Sequence, residues 1–148
     1  MRPRKIAADE IELEDGELAS GKYGVVVRGL MRDKKRPHDP QRYLVAVKVS
    51  KKPDLDAQME EYDALRAIPS HPNLIALVGC TVHAETELRL VFPYVSGGSL
   101  AQVIASDPTW GRSDLRRIIK GVLELLSGLE VLSLAMFVHR DSTYSRSL

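Results

Sequence analysis

The chain has 148 residues, 44% of them hydrophobic and 28% charged, which is the composition of one ordinary soluble globular domain and argues against disorder, collagen or a disulfide scaffold. Its 21 Lys and Arg against 20 Asp and Glu leave a formal charge of +1, so no global field points toward nucleic acid or an anionic membrane surface. The single cysteine, Cys80, cannot close an intrachain disulfide, fits a reducing compartment and reads as small core filler.

The first third reads as strands. Ile11, Leu13 and Leu18 flank a turn-like Asp15-Gly16. Gly24-Val25-Val26-Val27-Arg28-Gly29-Leu30 is β-branched and bounded by glycines, so two antiparallel strands meet near Ser20-Gly21. The segment 33–41 carries Pro37 and Pro40 and suits an exposed connection, after which residues 43–49 give a third strand. From Leu55 the period changes: Leu55, Met59, Tyr62 and Leu65 recur at three- and four-residue spacing, which predicts an amphipathic helix ended by Pro69. Leu74 to Val82 and Leu88 to Phe92 are two further runs of strand length, split by polar residues. Gly97-Gly98 breaks the pattern, and helical periodicity returns after Ser113, a candidate N-cap with Asp114 in the first turn. Leu115, Ile118, Ile119, Val122, Leu125, Leu126, Leu129 and Leu132 lie on one wide stripe. Gly121 and Gly128 inside that helix each cost about 1 kcal/mol relative to alanine, so tertiary packing has to hold it.

The most apolar stretch, Leu123 to Val138, is interrupted by Glu124, Ser127, Glu130 and Ser133 and falls short of the roughly 20 apolar residues of a bilayer span. Met1 to Glu10 carries basic residues with no apolar run behind them, so no secretory signal is expected. The chain reads as cytoplasmic, or as the cytoplasmic part of a longer membrane-anchored protein.

Between the first two strands, Leu18-Ala19-Ser20-Gly21-Lys22-Tyr23-Gly24-Val25-Val26 matches G-x-G-x-x-G-x-V at Gly21, Gly24 and Val26 and departs from it at Ala19. Glycines suit a hairpin that brings bare backbone amides close to phosphate oxygens. By itself the segment reads first as an ordinary glycine-bearing hairpin. What raises it is Val45-Ala46-Val47-Lys48, an apolar strand ending in a lysine that can reach phosphate oxygens as a point charge. A partly desolvated Lys48 requires an anionic partner. Glu61, on the helix face of Leu65, can supply it, whereas Glu60 reads as a solvated helix charge. His38, His71 and His83 read as loop or solvated residues and Trp110 as loop packing, so no metal or nucleic-acid site is expected.

His139-Arg140-Asp141 follows Phe137-Val138, and with it the chain resembles the eukaryotic protein kinase family. The resemblance runs in order from the glycine-rich hairpin through the Val-Ala-Val-Lys strand, the helix glutamate, His71-Pro72-Asn73, a hinge at Phe92 to Val95, Gly97-Gly98-Ser99-Leu100 and the long helix to Phe-Val-His-Arg-Asp. It implies an α+β fold: a five-stranded antiparallel sheet with one helix, followed by the first helices of an incomplete α-helical lobe. It divides the chain into a flanking segment 1–10, an N-lobe with hinge over 11–95, the start of a C-lobe over 96–141, and a tail 142–148 unlike any kinase segment.

The resemblance also implies roles. Lys48 looks like the lysine that holds the α- and β-phosphates of ATP, Glu61 like its ion-pair partner and Asp141 like the base that orients the attacking hydroxyl. Ala19, Ser20, Gly21, Tyr23 and Gly24 would form the hairpin over the phosphates. Val26 and Ala46 would sandwich adenine, Phe92 would limit the pocket behind it, and Pro93 and Val95 would offer a carbonyl and an amide at the hinge. The implied reaction is γ-phosphoryl transfer from ATP to a hydroxyl of a protein substrate. Phe137-Val138 and Leu77-Val78-Gly79-Cys80 look more like the tyrosine kinase branch than the serine/threonine one.

The chain also departs from the family. Arg146 stands where the family has an asparagine that binds Mg²⁺, and no Asp-Phe-Gly segment occurs. Mg²⁺ is expected for the family while its ligands are absent here. These departures suggest a truncated domain that is inactive by itself and whose helix 115–132 is free for a protein partner. The alternative is a non-catalytic, pseudokinase-like nucleotide-binding or interaction fragment.

Overall fold

The structure, a computed structural model, describes residues 3–22, 24–32, 42–51, 54–84, 86–107 and 115–135. Two compact units divide the chain: one comprises residues through Ile68 together with Ile75–Tyr94, the other Pro69–Leu74 together with residues from Val95 on.

The first unit is built on a six-stranded sheet. In chain order it contains β1 (Arg4–Lys5), a 3₁₀ turn (Ala8–Glu10), β2 (Ile11–Ser20), β3 (Gly24–Arg32), β4 (Arg42–Ser50), α1 (Leu55–Ala67), β5 (Gly79–His83) and β6 (Glu87–Pro93). The sheet order is β1-β5-β6-β4-β3-β2, and every neighbouring pair is antiparallel except β1 with β5. The expectation of five antiparallel strands is corrected: the sheet has six strands and is mixed. The extra strand comes from the segment expected merely to flank the domain. Two residues are too short to show a period of two, so β1 has no signature in sequence. Tertiary contacts make it: the Arg4 amide donates to the Val78 carbonyl at 3.2 Å, the Ile6 amide donates to the Cys80 carbonyl at 2.8 Å, and Ile6 is buried. Gly79 permits the approach, since a Cβ there would lie 2.0 Å from the Arg4 carbonyl oxygen.

Two other expectations shift. Asp15-Gly16 does not turn the chain. Gly16, at φ +100°, sits where the β2–β3 register slips between Leu13 and Glu17, so the strand absorbs an irregularity and continues. The run from Leu74 becomes strand only at Gly79, although Leu77 is buried and the Val78 amide already donates to the Val91 carbonyl at 2.8 Å.

Alternation along β4 assigns the two sheet faces. Val45 and Val47 pack with Ile6 and Val91 on one. Ala46 and Lys48 lie on the other, where α1 packs and Tyr62, Leu77, Cys80, Leu88 and Leu90 form a second buried cluster. Asp54 caps α1 by accepting from the Ala57 amide at 3.1 Å. The helix stops before Ile68, whose extended backbone is the conformation that the following Pro69 favours.

The second unit contains α2 (Leu100–Ser106) and α3 (Leu115–Leu134). No long apolar stripe marks α2, but its start is legible in a short pattern: Ser99 and Gln102 make a capping box, with Ser99 N to Gln102 Oε1 at 2.7 Å and Gln102 N to Ser99 Oγ at 3.2 Å. In α3 a Cβ on Gly128 would lie 3.1 Å from the Asn73 carbonyl oxygen, and Ser127 Oγ lies 3.3 Å from His71 Nε2, so this end of the helix is held by the Pro69–Leu74 segment. Most of its apolar stripe is solvent-exposed, Leu126 at 54%. Pro37, His38, Pro40, Trp110, Ser113 and Asp114 lie outside the described residues.

Candidate active site

Strand register brings the singled-out side chains of the first unit together. Val26 stands opposite Lys48 across β3–β4 and opposite Ala19 across β2–β3; Lys48 stands opposite Leu90, and Ala46 opposite Phe92. Cross-strand partners share a face. Ala19, Val26, Ala46, Lys48 and Phe92 therefore line the sheet face on which α1 packs, with Val26, Ala46 and Phe92 half-buried. Pro93 is opposite Val45 at the end of β6. Val95 begins the second unit, where its carbonyl accepts from the Gly98 amide at 3.4 Å. Tyr23 and Asp141 lie outside the described residues.

Lys48 and Glu61 meet. Lys48 Nζ lies 2.5 Å from Glu61 Oε1, with the side chains 30% and 42% exposed. The helix phase of α1 explains it: Gln58, Glu61, Tyr62 and Leu65 project from the side that packs on β6, whereas Glu60 is exposed. Gln58 belongs to the same arrangement although nothing in the sequence singled it out. Its buried Oε1 accepts from the Leu88 amide at 2.6 Å and stitches α1 to β6 one turn from Glu61. Lys48, Ser50, Gln58, Glu61, Leu88 and Leu90 line a small recess under this pair. A wider, open groove along α3, bordered by Asn73 and Leu123, carries the charges of Arg116, Lys120 and Glu124 but holds neither the strand lysine nor the glycine hairpin.

The hairpin is turned by the Gly21 amide donating to the Gly24 carbonyl at 2.9 Å. Gly24 is required by close approach, since a Cβ there would lie 2.6 Å from the Val49 carbonyl oxygen, whereas one on Gly21 would meet nothing nearer than 3.9 Å. Ala19 lies in extended β2, and Ala84 is the one non-glycine residue with positive φ among the described residues. The departure from the glycine pattern at Ala19 therefore brings no backbone strain. A second lysine reaches the hairpin: Lys51 Nζ donates to the Gly21 carbonyl at 2.9 Å and to Ser20 Oγ at 3.0 Å. The sequence pattern did not mark Lys51. On the same sheet face Arg28 pairs with Glu14, whose hydrogen bond and charge raise the guanidinium pKa above its ordinary value. Behind the site, burial pushes the Cys80 thiol and the Tyr62 hydroxyl above their ordinary pKa values.

Residues 13–145 match the protein tyrosine and serine/threonine kinase family. The chain belongs to that family. Among its relatives, the leaf rust 10 disease-resistance locus receptor-like protein kinase-like 1.4 of Arabidopsis thaliana is 28% identical over 130 residues, which are 84% of this chain and 18% of that protein. The tyrosine-protein kinase receptor old-1 of Caenorhabditis elegans is 27% identical over 156 residues, covering 93% of this chain and 31% of the relative. Tyrosine-protein kinase csk-1 of the same organism is 28% identical over 141 residues, covering 92% and 23%. The kinase chain thus spans less than a third of these curated relatives, and the family it joins includes both tyrosine and serine/threonine kinases. No helix among its described residues is long and apolar enough to cross a membrane.

Proposed function

We propose that residues 11–95 are an ATP-binding kinase N-lobe with its hinge, that 96–141 open a helical lobe, and that the parent activity is phosphoryl transfer to a protein hydroxyl, tyrosine in preference to serine or threonine. The observation that carries this reading is the Lys48–Glu61 pair on the sheet face of Val26 and Ala46. A glutamate beside the strand lysine holds a compact positive charge in one place, and a charge that stays in place before ligand arrives suits phosphate oxygens better than a mobile one.

ATP fits the residues present and would supply the transferable γ-phosphoryl group. Lys48 would hold the α- and β-phosphates, and Glu61 would orient Lys48. Backbone at Ala19, Ser20, Gly21 and Gly24, with Tyr23, would cover the phosphates, helped by the bare Cα that Gly24 presents to β4. Val26 and Ala46 would take the adenine, Phe92 would close the pocket behind it, and the Pro93 carbonyl and Val95 amide would mark the hinge. Asp141 would accept the proton of the attacking hydroxyl. Mg²⁺ does not fit: Arg146, a permanent cation, stands at the asparagine position. For these 148 residues by themselves, Arg146 favours the second reading, nucleotide binding without phosphotransfer. The exposed stripe of α3 is then an interaction face for a protein partner. A cytoplasmic setting suits both readings.

Two measurements on the 148-residue chain test this. Calorimetric titration with ATP should show binding that Lys48→Met weakens at least about tenfold, the loss of a charge-assisted contact. Incubation with γ-labelled ATP and a generic peptide should give no incorporation. Incorporation that Asp141→Asn abolishes overturns the non-catalytic reading, and ATP affinity indifferent to Lys48 overturns the site.

A further inference from the structure

We propose that Lys51 is a positioning residue that latches the tip of the glycine hairpin to the end of β4 and so holds the hairpin amides ready for a polyphosphate. The proposal rests on the reading of this site as an ATP site and adds a residue that neither the hairpin pattern nor the strand lysine indicates.

β3 begins at Gly24, which pairs with Ser50, the last residue of β4. Lys51 therefore stands one residue beyond the paired region, where β4 has no neighbour in β3 and the chain of β2 and β3 is turning over. Gly24 brings the two strands close there, since a Cβ on it would lie 2.6 Å from the Val49 carbonyl oxygen. From that position the lysine stem reaches back to the tip. Its ammonium donates twice to adjacent residues, at 2.9 Å to the Gly21 carbonyl and at 3.0 Å to Ser20 Oγ. Both are charge-assisted hydrogen bonds, stronger than neutral ones and directional when made together.

What they constrain is the tip of the hairpin, beyond the paired strands. Beyond Ser20 the β2–β3 ladder ends, and across the tip the Gly21 amide donates to the Gly24 carbonyl at 2.9 Å. A hairpin that lays amides over phosphates loses affinity in proportion to the freedom it gives up on binding, so a tip already tied down costs less to order. Two lysines of one segment then divide the work. Lys48 faces the sheet side covered by α1 and pairs with Glu61, while Lys51 serves the hairpin.

The test uses the whole chain, with Lys51→Met and Lys51→Arg compared for ATP against adenosine by calorimetry, and for hairpin amide exchange in the absence of any nucleotide. Lys51→Met should weaken ATP by about three- to tenfold, the worth of one preorganising hydrogen bond, and leave adenosine within about twofold. Arg, which can also donate twice, should recover part of the loss. Exchange of the Gly21 amide in Lys51→Met should quicken by about tenfold with the rest of the sheet unchanged. Equal losses for ATP and adenosine, or an unaltered Gly21 exchange rate, overturn the proposal. If the unmodified chain binds neither ligand, the ATP reading fails, and the exchange measurement alone decides whether Lys51 latches the hairpin.

Discussion

β6 and α3 are both strongly apolar segments, and the structure treats them in opposite ways. In β6 Leu88, Leu90 and Val91 are buried, with α1 on one sheet face and the cluster of Ile6, Val45 and Val47 on the other. In α3 Leu115, Leu123, Leu125 and Leu126 are each more than half exposed, and only Gly128 and Leu132 are buried. The difference teaches that apolar periodicity specifies an element and one of its faces, while the worth of that face depends on what covers it.

The sharpest way to break the comparison is truncation in both places. Leu88→Ala should lower the unfolding free energy by about 2–4 kcal/mol, because it leaves a cavity between α1 and the sheet. Leu123→Ala and Leu126→Ala should each change it by no more than about 0.5 kcal/mol. Gly121→Ala should stabilise α3 by about 1 kcal/mol, since a Cβ there meets nothing within 4 Å. Urea titration followed by circular dichroism checks all four, and losses of equal size at Leu88 and Leu123 would mean that α3 is covered in solution.

A smaller effect tests how dry the covered face is. Side chains 30% and 42% exposed are screened, so the Lys48→Met and Glu61→Gln cycle should give a coupling energy of about 1 kcal/mol, well below the 3–5 kcal/mol typical of breaking a deeply buried pair. Additive losses would show that the pair contributes nothing in solution.

The smallest effect is alkaline. Because burial raises the Cys80 pKa in the folded chain, the unfolded chain releases its thiol proton first, and stability falls as pH rises past about 8.5. Tyr62 adds a fall in the same direction above about 10, from the same cause. Cys80→Ala should flatten the lower part of this slope and leave the upper part, whatever it does to absolute stability. Melting temperatures recorded at intervals across that range read both parts, and a wild-type slope unaffected by the substitution refutes the assignment.

Legibility followed how local each cause is. β3, β4 and α1 carry their own periodicity, and their observed ranges lie within a few residues of those expected. Ser99 and Gln102 announce α2 in a four-residue pattern that a search for longer stripes passes over. Asp15-Gly16 is ambiguous in sequence, because a residue at positive φ serves a bulge as readily as a turn. At the site, Lys48 and Glu61 are legible from strand and helix phase, whereas Lys51 and Gln58 act through neighbours 30 residues away that no spacing rule connects.

By itself the sequence determined the elements with internal period, the order of motifs that places the chain among protein kinases, and the residues whose charge demands a partner. Those follow from which side chains recur along one chain, a property fixed before folding. Only the tertiary structure decided that Arg4 and Lys5 join the sheet in parallel, that Ala19 sits without strain, that the Lys48 ammonium remains partly wet, and that Lys51 reaches the hairpin. Each of these depends on how near two distant backbones come, and that distance is set by packing and by the few glycines, such as Gly24 and Gly79, at which a Cβ would forbid the approach.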